Sequence, residues 1–435
     1  MWPLTIYNIP ISKVILIQKI MTGKLKKWLG LPRSFATDCL YSKSGKLQLP
    51  YTDVVEEFKT AKARLQVTLN ESEDPGVKGA EVRVDGGRKT DTQAAVTEAE
   101  SRLRMQEMTG IPNKGKEGLG LHPRVQFSKA SKKEKRKMIV KTVQQMEEEA
   151  RFVRMTNLKK QGAQLGWEVP ERRIGHKEIL EMPEGRLKFL VKAVHDLLPT
   201  PSNKNLWYGT EESCQLCGGV GTICHILSGC PTALSQGRYK WRHDEVLREL
   251  AQQVEEKRRD HNKEPEKAAT GIMFVKAGEK KKNKPNMVPR TYMEGAKDWR
   301  LMVDLDGKLR VPGNIVETEL RPDMLLISDA TKRMGLIELT VPSEDRVEVS
   351  SELKKNKYAV LQQEGKKNGW GVQIWAVEVG CRGFPAASMA SFMKDIGVTG
   401  AERKSELKKV GEAAEKASKW LWNCSRLKEW GRFGG

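Results

Sequence analysis

The sequence predicts a multi-domain α+β protein. It reads as an N-terminal helical region, a small Cys/His unit and a C-terminal α/β core, joined by disordered basic linkers. Three observations predict this. Val14, Ile15, Ile17, Ile20, Leu25, Trp28 and Leu29 recur at helical spacings, with basic residues between them. Four of the seven cysteines and one of the six histidines fall in the seventeen residues CQLCGGVGTICHILSGC. The apolar runs Met324–Ile327, Leu336–Val341 and Val372–Val379 read as short buried strands, with a helical stretch between the second and third.

In chain order, residues 1–70 form a helical region, and Trp28-Leu-Gly-Leu-Pro-Arg33 closes its first unit because Gly30 and Pro32 stop a helix. Residues 71–170 are charged helices and linkers: a loop over 71–92, helical composition over 93–109, an irregular Gly/Pro-rich stretch over 110–130, and a helix from Lys132 to about Lys159. Residues 171–254 hold a helix patterned by Phe189, Leu190, Val191, Val194, Leu197 and Leu198, stopped by Pro199 and Pro201. The Cys/His cluster follows, then a helix with Tyr239, Trp241, Val246, Leu247 and Leu250. Residues 255–292, with Lys280–Lys282 and Lys284, form a basic linker; 293–385 carry the strands; 386–435 end the chain in a basic helix with Trp420 and Trp422. There is no internal repeat.

Composition narrows the function classes. The 435 residues are 38% hydrophobic and 31% charged, which suits folded modules between polar stretches. A net charge of +21 favours a polyanionic partner, either nucleic acid or an acidic membrane face. The bland alternative is a solvated basic surface. Val14–Ile17 is bracketed by Lys13 and Lys19 and falls far short of a membrane span or a secretory signal. An odd, clustered set of cysteines suits a reducing compartment, cytosol or nucleus, and not a disulfide framework. The Lys132–Lys137 and Lys280–Lys284 runs read as solvated charge or as nuclear import signals.

The cluster has the spacing C-x2-C-x7-H-x4-C, and thiolates with imidazole are the ligands zinc prefers. Cys214 and Cys217 reach one ion from a tight turn, with Gly218, Gly219 and Gly221 folding the chain back. His225 and Cys230 suit a short helical turn ending at Gly229. Four ligands leave no open position, so the expected Zn2+ is structural. Cys224 is the competing ligand and is placed outside the metal. Trp207 and Tyr208 precede the cluster and Arg238-Tyr-Lys-Trp-Arg-His-Asp244 follows it. Arg238, Tyr239, Trp241, Arg242 and His243 are therefore candidate nucleic-acid contacts, since aromatic faces stack bases and guanidinium groups grip phosphate. Alternatively, Tyr239 and Trp241 bury against the knuckle.

Asp323 opens one strand and Glu338 lies inside the next, so pairing those strands brings two carboxylates together. Adjacent anions are unfavourable unless protonated or bridged by a cation, and hard oxygen ligands favour Mg2+ or its stand-in Mn2+. Lys354 and Lys357 share a helix face and can set an ammonium beside that ion to assist attack on a phosphodiester. This is the logic of a PD-(D/E)xK nuclease core, with Thr340 where its lysine usually stands. Glu338 as an edge charge and Asp323 as a turn residue is the competing view.

Together, WLGLPR, FLVKAVHDLLPTPSN, the knuckle, GRYKWRHDEVL, LRPDMLLISDATK, IELTVP, the K-x-x-KY helix and VEVGCRGF resemble, in order and spacing, the C-terminal part of a non-LTR retrotransposon polyprotein of the type carrying a restriction-like endonuclease. The resemblance runs from near the N-terminus to about residue 385. It implies a thumb-like helical region, a CCHC zinc knuckle at Cys214, Cys217, His225 and Cys230, and an endonuclease with acidic positions at Asp323 and Glu338 and a helix-borne lysine at Lys354 or Lys357. Tyr358 joins the candidate nucleic-acid contacts. In such elements the endonuclease nicks target DNA, and the freed 3′ hydroxyl primes reverse transcription. There is no Asp-Asp pair of a polymerase palm, so the chain is expected not to make cDNA by itself. Ser343 and Leu353 depart from the residues common in similar sequences. The expectation is a DNA-binding protein, with RNA a further partner, that acts in the nucleus and also occurs in the cytoplasm. It is either a metal-dependent nicking enzyme or a non-catalytic binding remnant. Its oligomeric state is left open.

Overall fold

A computed structural model describes residues 6–78, 80, 82, 92–109, 112–115, 118–121, 126–263 and 291–430. The chain is mixed α/β and divides into two compact units, residues 1–165 with 172–191, and residues 166–171 with 192–435. The division falls inside the helix Glu184–Val194, so the predicted 171–254 segment is not one unit. Lys280–Lys284 and most of the expected linker lie outside the described residues. No helix among the described residues is long and apolar enough to cross a membrane.

In the first unit the helices are α1 (Ile11–Trp28), α2 (Thr37–Tyr41), α3 (Val54–Asn70), α4 (Thr92–Thr109), α5 (Lys132–Thr156) and α6 (His176–Glu181). Asp53 starts α3 by accepting from the Val55 and Glu56 amides, and Ser131 with Glu134 closes a capping box on α5. Val67, Val96, Leu103, Ile139 and Val143 from α3, α4 and α5 form one core. The expected α1 stripe is only partly right: Val14 is buried, but Ile15, Ile17 and Ile20 are exposed. Strands β1 (Leu47–Gln48) and β4 (Arg172–Arg173) pair in parallel. The stretch read as irregular holds an antiparallel ladder, β2 (Pro112–Gly115) with β3 (Gly118–Leu121).

The second unit is built on a four-stranded sheet ordered β5 (Arg300–Val303), β6 (Met324–Ser328), β7 (Arg333–Thr340), β8 (Gly371–Glu378). The first two pairings are antiparallel; β7 and β8 are parallel, as the helical crossover between them requires. Side chains alternate across a strand. Met324, Leu326, Ile337 and Leu339 therefore enter one core and Leu325, Ile327, Met334 and Leu336 the other. The division falls inside α7 (Glu184–Val194); the second unit's further helices are α8 (Pro201–Tyr208), α9 (Pro231–Ser235), α10 (Arg238–Lys263), α11 (Val347–Lys367), α12 (Ala387–Asp395) and α13 (Gly400–Asn423). α10, α12 and α13 cover the first face with Leu247, Phe392 and Val410, while α11 covers the second with Tyr358 and Leu361.

Two boundaries drawn from sequence change as a result. Residues 255–263 belong to α10 and not to a linker. The C-terminal helix is no appendage, because Val410 and Ala414 are fully buried in the same core as the sheet. A buried ion pair, Arg382 with Glu344, ties the chain after β8 to the turn before α11; Arg382 is 3% exposed and Glu344 1%.

Candidate metal centre and acidic site

The Cys/His cluster is made by local chain geometry. The Cys214 amide donates to the Gly219 carbonyl at 2.6 Å, and the Gly218 amide donates back to Cys214 at 2.8 Å. Gly218 takes a positive φ of 76°, which a side chain would strain. The Thr222 hydroxyl accepts from the His225 amide at 3.1 Å, and one helical turn, His225–Gly229, carries the chain to Cys230. The donor atoms of Cys214, Cys217, His225 and Cys230 all lie within 4.8 Å of one another, so this Cys3His set can hold a metal ion such as zinc. Burial, then the neighbouring thiols, pushes the Cys230 thiol up to about 11. Burial also lowers the His225 imidazole. Burial works against the Cys217 thiolate, but the Gly219 backbone hydrogen bond and the neighbouring thiols outweigh it and lower that thiol. Cys224 points elsewhere, its sulfur 3.4 Å from the Ser343 hydroxyl.

The residues after the cluster are mostly structural, which corrects the interface expected from sequence. Arg238 and Arg242 are each 2% exposed. Arg238 donates to the Cys424 carbonyl at 2.8 Å. Arg242 donates to the Val341 carbonyl at 2.7 Å, to the Ser418 hydroxyl at 3.2 Å and to the Leu227 carbonyl at 2.6 Å. The Tyr239 hydroxyl accepts from the Cys230 amide at 3.0 Å and donates to the Ile226 carbonyl at 2.9 Å. Tyr358 is fully buried and donates to the Arg321 carbonyl at 2.8 Å. Chain carbonyls consume these donors, so none of the four faces a polyanion. Trp241 is half-buried, edge-on to Trp430 with centroids 5.8 Å apart.

The acidic site is assembled by sheet register. Met324 pairs with Ile337, which sets Asp323 opposite Glu338. The Asp323 amide donates to Glu338 Oε2 at 3.3 Å, and Asp323 Oδ2 accepts from the Leu339 amide at 2.7 Å. From α11, Lys354 Nζ donates to Glu338 Oε1. Lys357 Nζ stays 3.9 Å from that oxygen and donates to the Tyr358 hydroxyl at 3.0 Å. Between the two lysines, the geometry picks Lys354. Burial, then the Asp323 charge, raises the Glu338 carboxyl above its ordinary range, with Lys354 opposing. Two carboxylates held this close are unfavourable without a neighbouring cation, and here Lys354 supplies it.

Sequence reasoning placed His243 on a nucleic-acid surface; the structure places it at the acids. Its Nε2 lies 3.3 Å from Asp323 Oδ2 and its Nδ1 3.1 Å from Asp244 Oδ1. Burial works against the charged ring, but the hydrogen bonds to Asp244 and Asp323 outweigh it and push its pKa up to about 9. Eighty residues separate His243 from Asp323, and no spacing signal in the sequence could have joined them. Glu344 and Arg382 were missed for the same reason.

The chain matches no known family model, and no curated protein matches it.

Proposed function

We propose that this chain is a nucleic-acid-binding protein whose second unit nicks DNA in a metal-dependent reaction of the restriction-like, PD-(D/E)xK type, with a zinc knuckle as its structural staple. The resemblance to the C-terminal part of a non-LTR retrotransposon polyprotein supports this reading, as does the strand, strand, helix, strand order of β6, β7, α11 and β8. The observation that carries it is the meeting of Asp323, Glu338 and Lys354 from three elements.

In this reading, Asp323 and Glu338 would hold Mg2+ or Mn2+, whose chemistry when bound would be to offset phosphate charge and activate water. The Leu339 amide and His243 fix Asp323, so that its other oxygen is free to serve as a ligand. Lys354, which donates to Glu338 Oε1, would be placed to turn its ammonium to the attacking water or the phosphate, where charge builds in the transition state. Lys357, held by Tyr358, adds positive charge along the DNA path. DNA is the substrate, RNA a second partner, and the nucleus the site of action.

The test is nicking of supercoiled plasmid by purified protein in Mg2+ or Mn2+, compared with Glu338→Ala. The expected loss is at least hundredfold, since removing one electrostatic partner of the transition state costs roughly that much. Equal activity in both proteins, or none in either, removes the enzyme and leaves a non-catalytic binding protein. Ser343 and Leu353, which depart from the residues common in similar sequences, favour that second reading.

A further inference from the structure

A groove lies beside the knuckle, away from Asp323 and Glu338, and no role described above uses it. Its volume is about 280 Å³, just under the roughly 300 Å³ at which small-ligand sites begin. Its lining includes Pro199 and Pro201 at the start of α8, Ile226 and the ligand Cys214 of the knuckle, Trp422 at the end of α13, and one carboxylate, Glu211. Lys204 and Arg426 stand on its lining. Neither side chain has a hydrogen-bond or ion-pair partner among the described residues, in contrast to Arg238, Arg242 and Arg382 of the same unit. Tyr208, 75% exposed, follows Lys204 by four residues and shares its face of α8.

We propose that this groove binds an unpaired nucleotide of a single-stranded nucleic acid. A mixed groove with an indole on its lining offers a nucleobase a stacking partner, and Lys204 and Arg426 on that lining supply positive charge for the flanking phosphates. A paired base inside a duplex has no exposed face to offer, so the groove selects strands over duplex. The +21 charge of the chain supplies long-range attraction; the groove supplies the local contact. The site does not depend on cleavage, since none of its residues touches the acidic pair.

The test uses the full-length zinc-loaded chain carrying Glu338→Ala, so that cutting, or its failure, does not enter the reading. Fluorescence anisotropy follows binding of labelled dodecameric oligo-dT without Mg2+. Trp422→Ala is expected to weaken binding roughly ten- to hundredfold, the loss of one base-stacking contact. A Lys204→Glu, Arg426→Glu double variant, exposed enough to fold normally, is expected to weaken it by at least tenfold and to flatten the salt dependence by about two phosphate contacts. Zinc content and melting temperature establish that both variants are folded. Unchanged oligo-dT affinity in the folded double variant overturns the site. So does equal competition by a same-length duplex, which would make the surface a general polyanion binder. Equal competition by free thymidine monophosphate also overturns it, because the groove would then be a mononucleotide pocket.

Discussion

The Cys/His cluster and the acidic site sit in one unit but are held in opposite ways. The four soft ligands come from residues 214–230, and their turns are closed by hydrogen bonds within that stretch. The acidic site draws Asp323, Glu338, Lys354 and His243 from the start of β6, from β7, from α11 and from α10. The first is a local loop whose four donor atoms can hold a metal ion; the second is set by strand register and helix packing. A site of the first kind fails when its ion is removed. A site of the second kind fails when the sheet shifts, because slipping a strand by one residue turns Glu338 to the other face.

The largest effect should come from breaking the first site alone. Cys214→Ser with Cys217→Ser is expected to lose one zinc per chain by metal analysis and to lower the melting temperature sharply, because structural zinc binding is folding energy. If the two regions are independent, the sheet core stays folded by amide exchange. Retained metal in a folded double variant would sink the zinc assignment.

Arg242 sharpens the comparison, because it joins the two regions by donating to Leu227 of the knuckle and Val341 after β7. Arg242→Met leaves those carbonyls without their donor. The expected cost is about 2–6 kcal/mol by denaturant unfolding, given 1–3 kcal/mol for each buried polar group left unpaired. If Arg242 aligns both sites, zinc affinity and plasmid nicking fall together; a fall in one alone limits it to that region.

The smallest effect, and the most diagnostic of the acidic site, is a pH dependence at His243. Its folded pKa near 9 lies above the unfolded value near 6.5. Its contribution is therefore fully present below about pH 6.5 and is lost as pH rises through about 9. In metal-free buffer, His243→Asn should cost roughly 1–3 kcal/mol at pH 6 and fade to little above pH 9. A difference that does not change with pH would mean that the ring acts only by packing.

Much of this was legible because the signals were local. The Cys/His ligand set follows from spacing and ligand chemistry, and Cys224 fell outside it as expected. The apolar runs Met324–Ile327 and Leu336–Val341 marked the two strands, though the second begins earlier, at Arg333, inside the expected turn; the meeting of Asp323 with Glu338 followed from their pairing. What was misread was burial. Arg238, Arg242 and Tyr239 look like a basic, aromatic surface in sequence, yet each is turned inward by acceptors supplied from far along the chain, including Cys424 and Val341. The C-terminal helix was read as a basic tail because its charges are obvious; its small buried face at Ala414 and Val410 is not.

The sequence alone determined the central strands, the soft ligand set and the pairing of two acids, because each depends on residue types a few positions apart or on strand periodicity. Only the tertiary structure decided that Lys354 and not Lys357 reaches Glu338, that His243 backs Asp323, and which arginines stay free. Those outcomes depend on which distant carbonyl or carboxylate packing brings within about 3 Å of a donor.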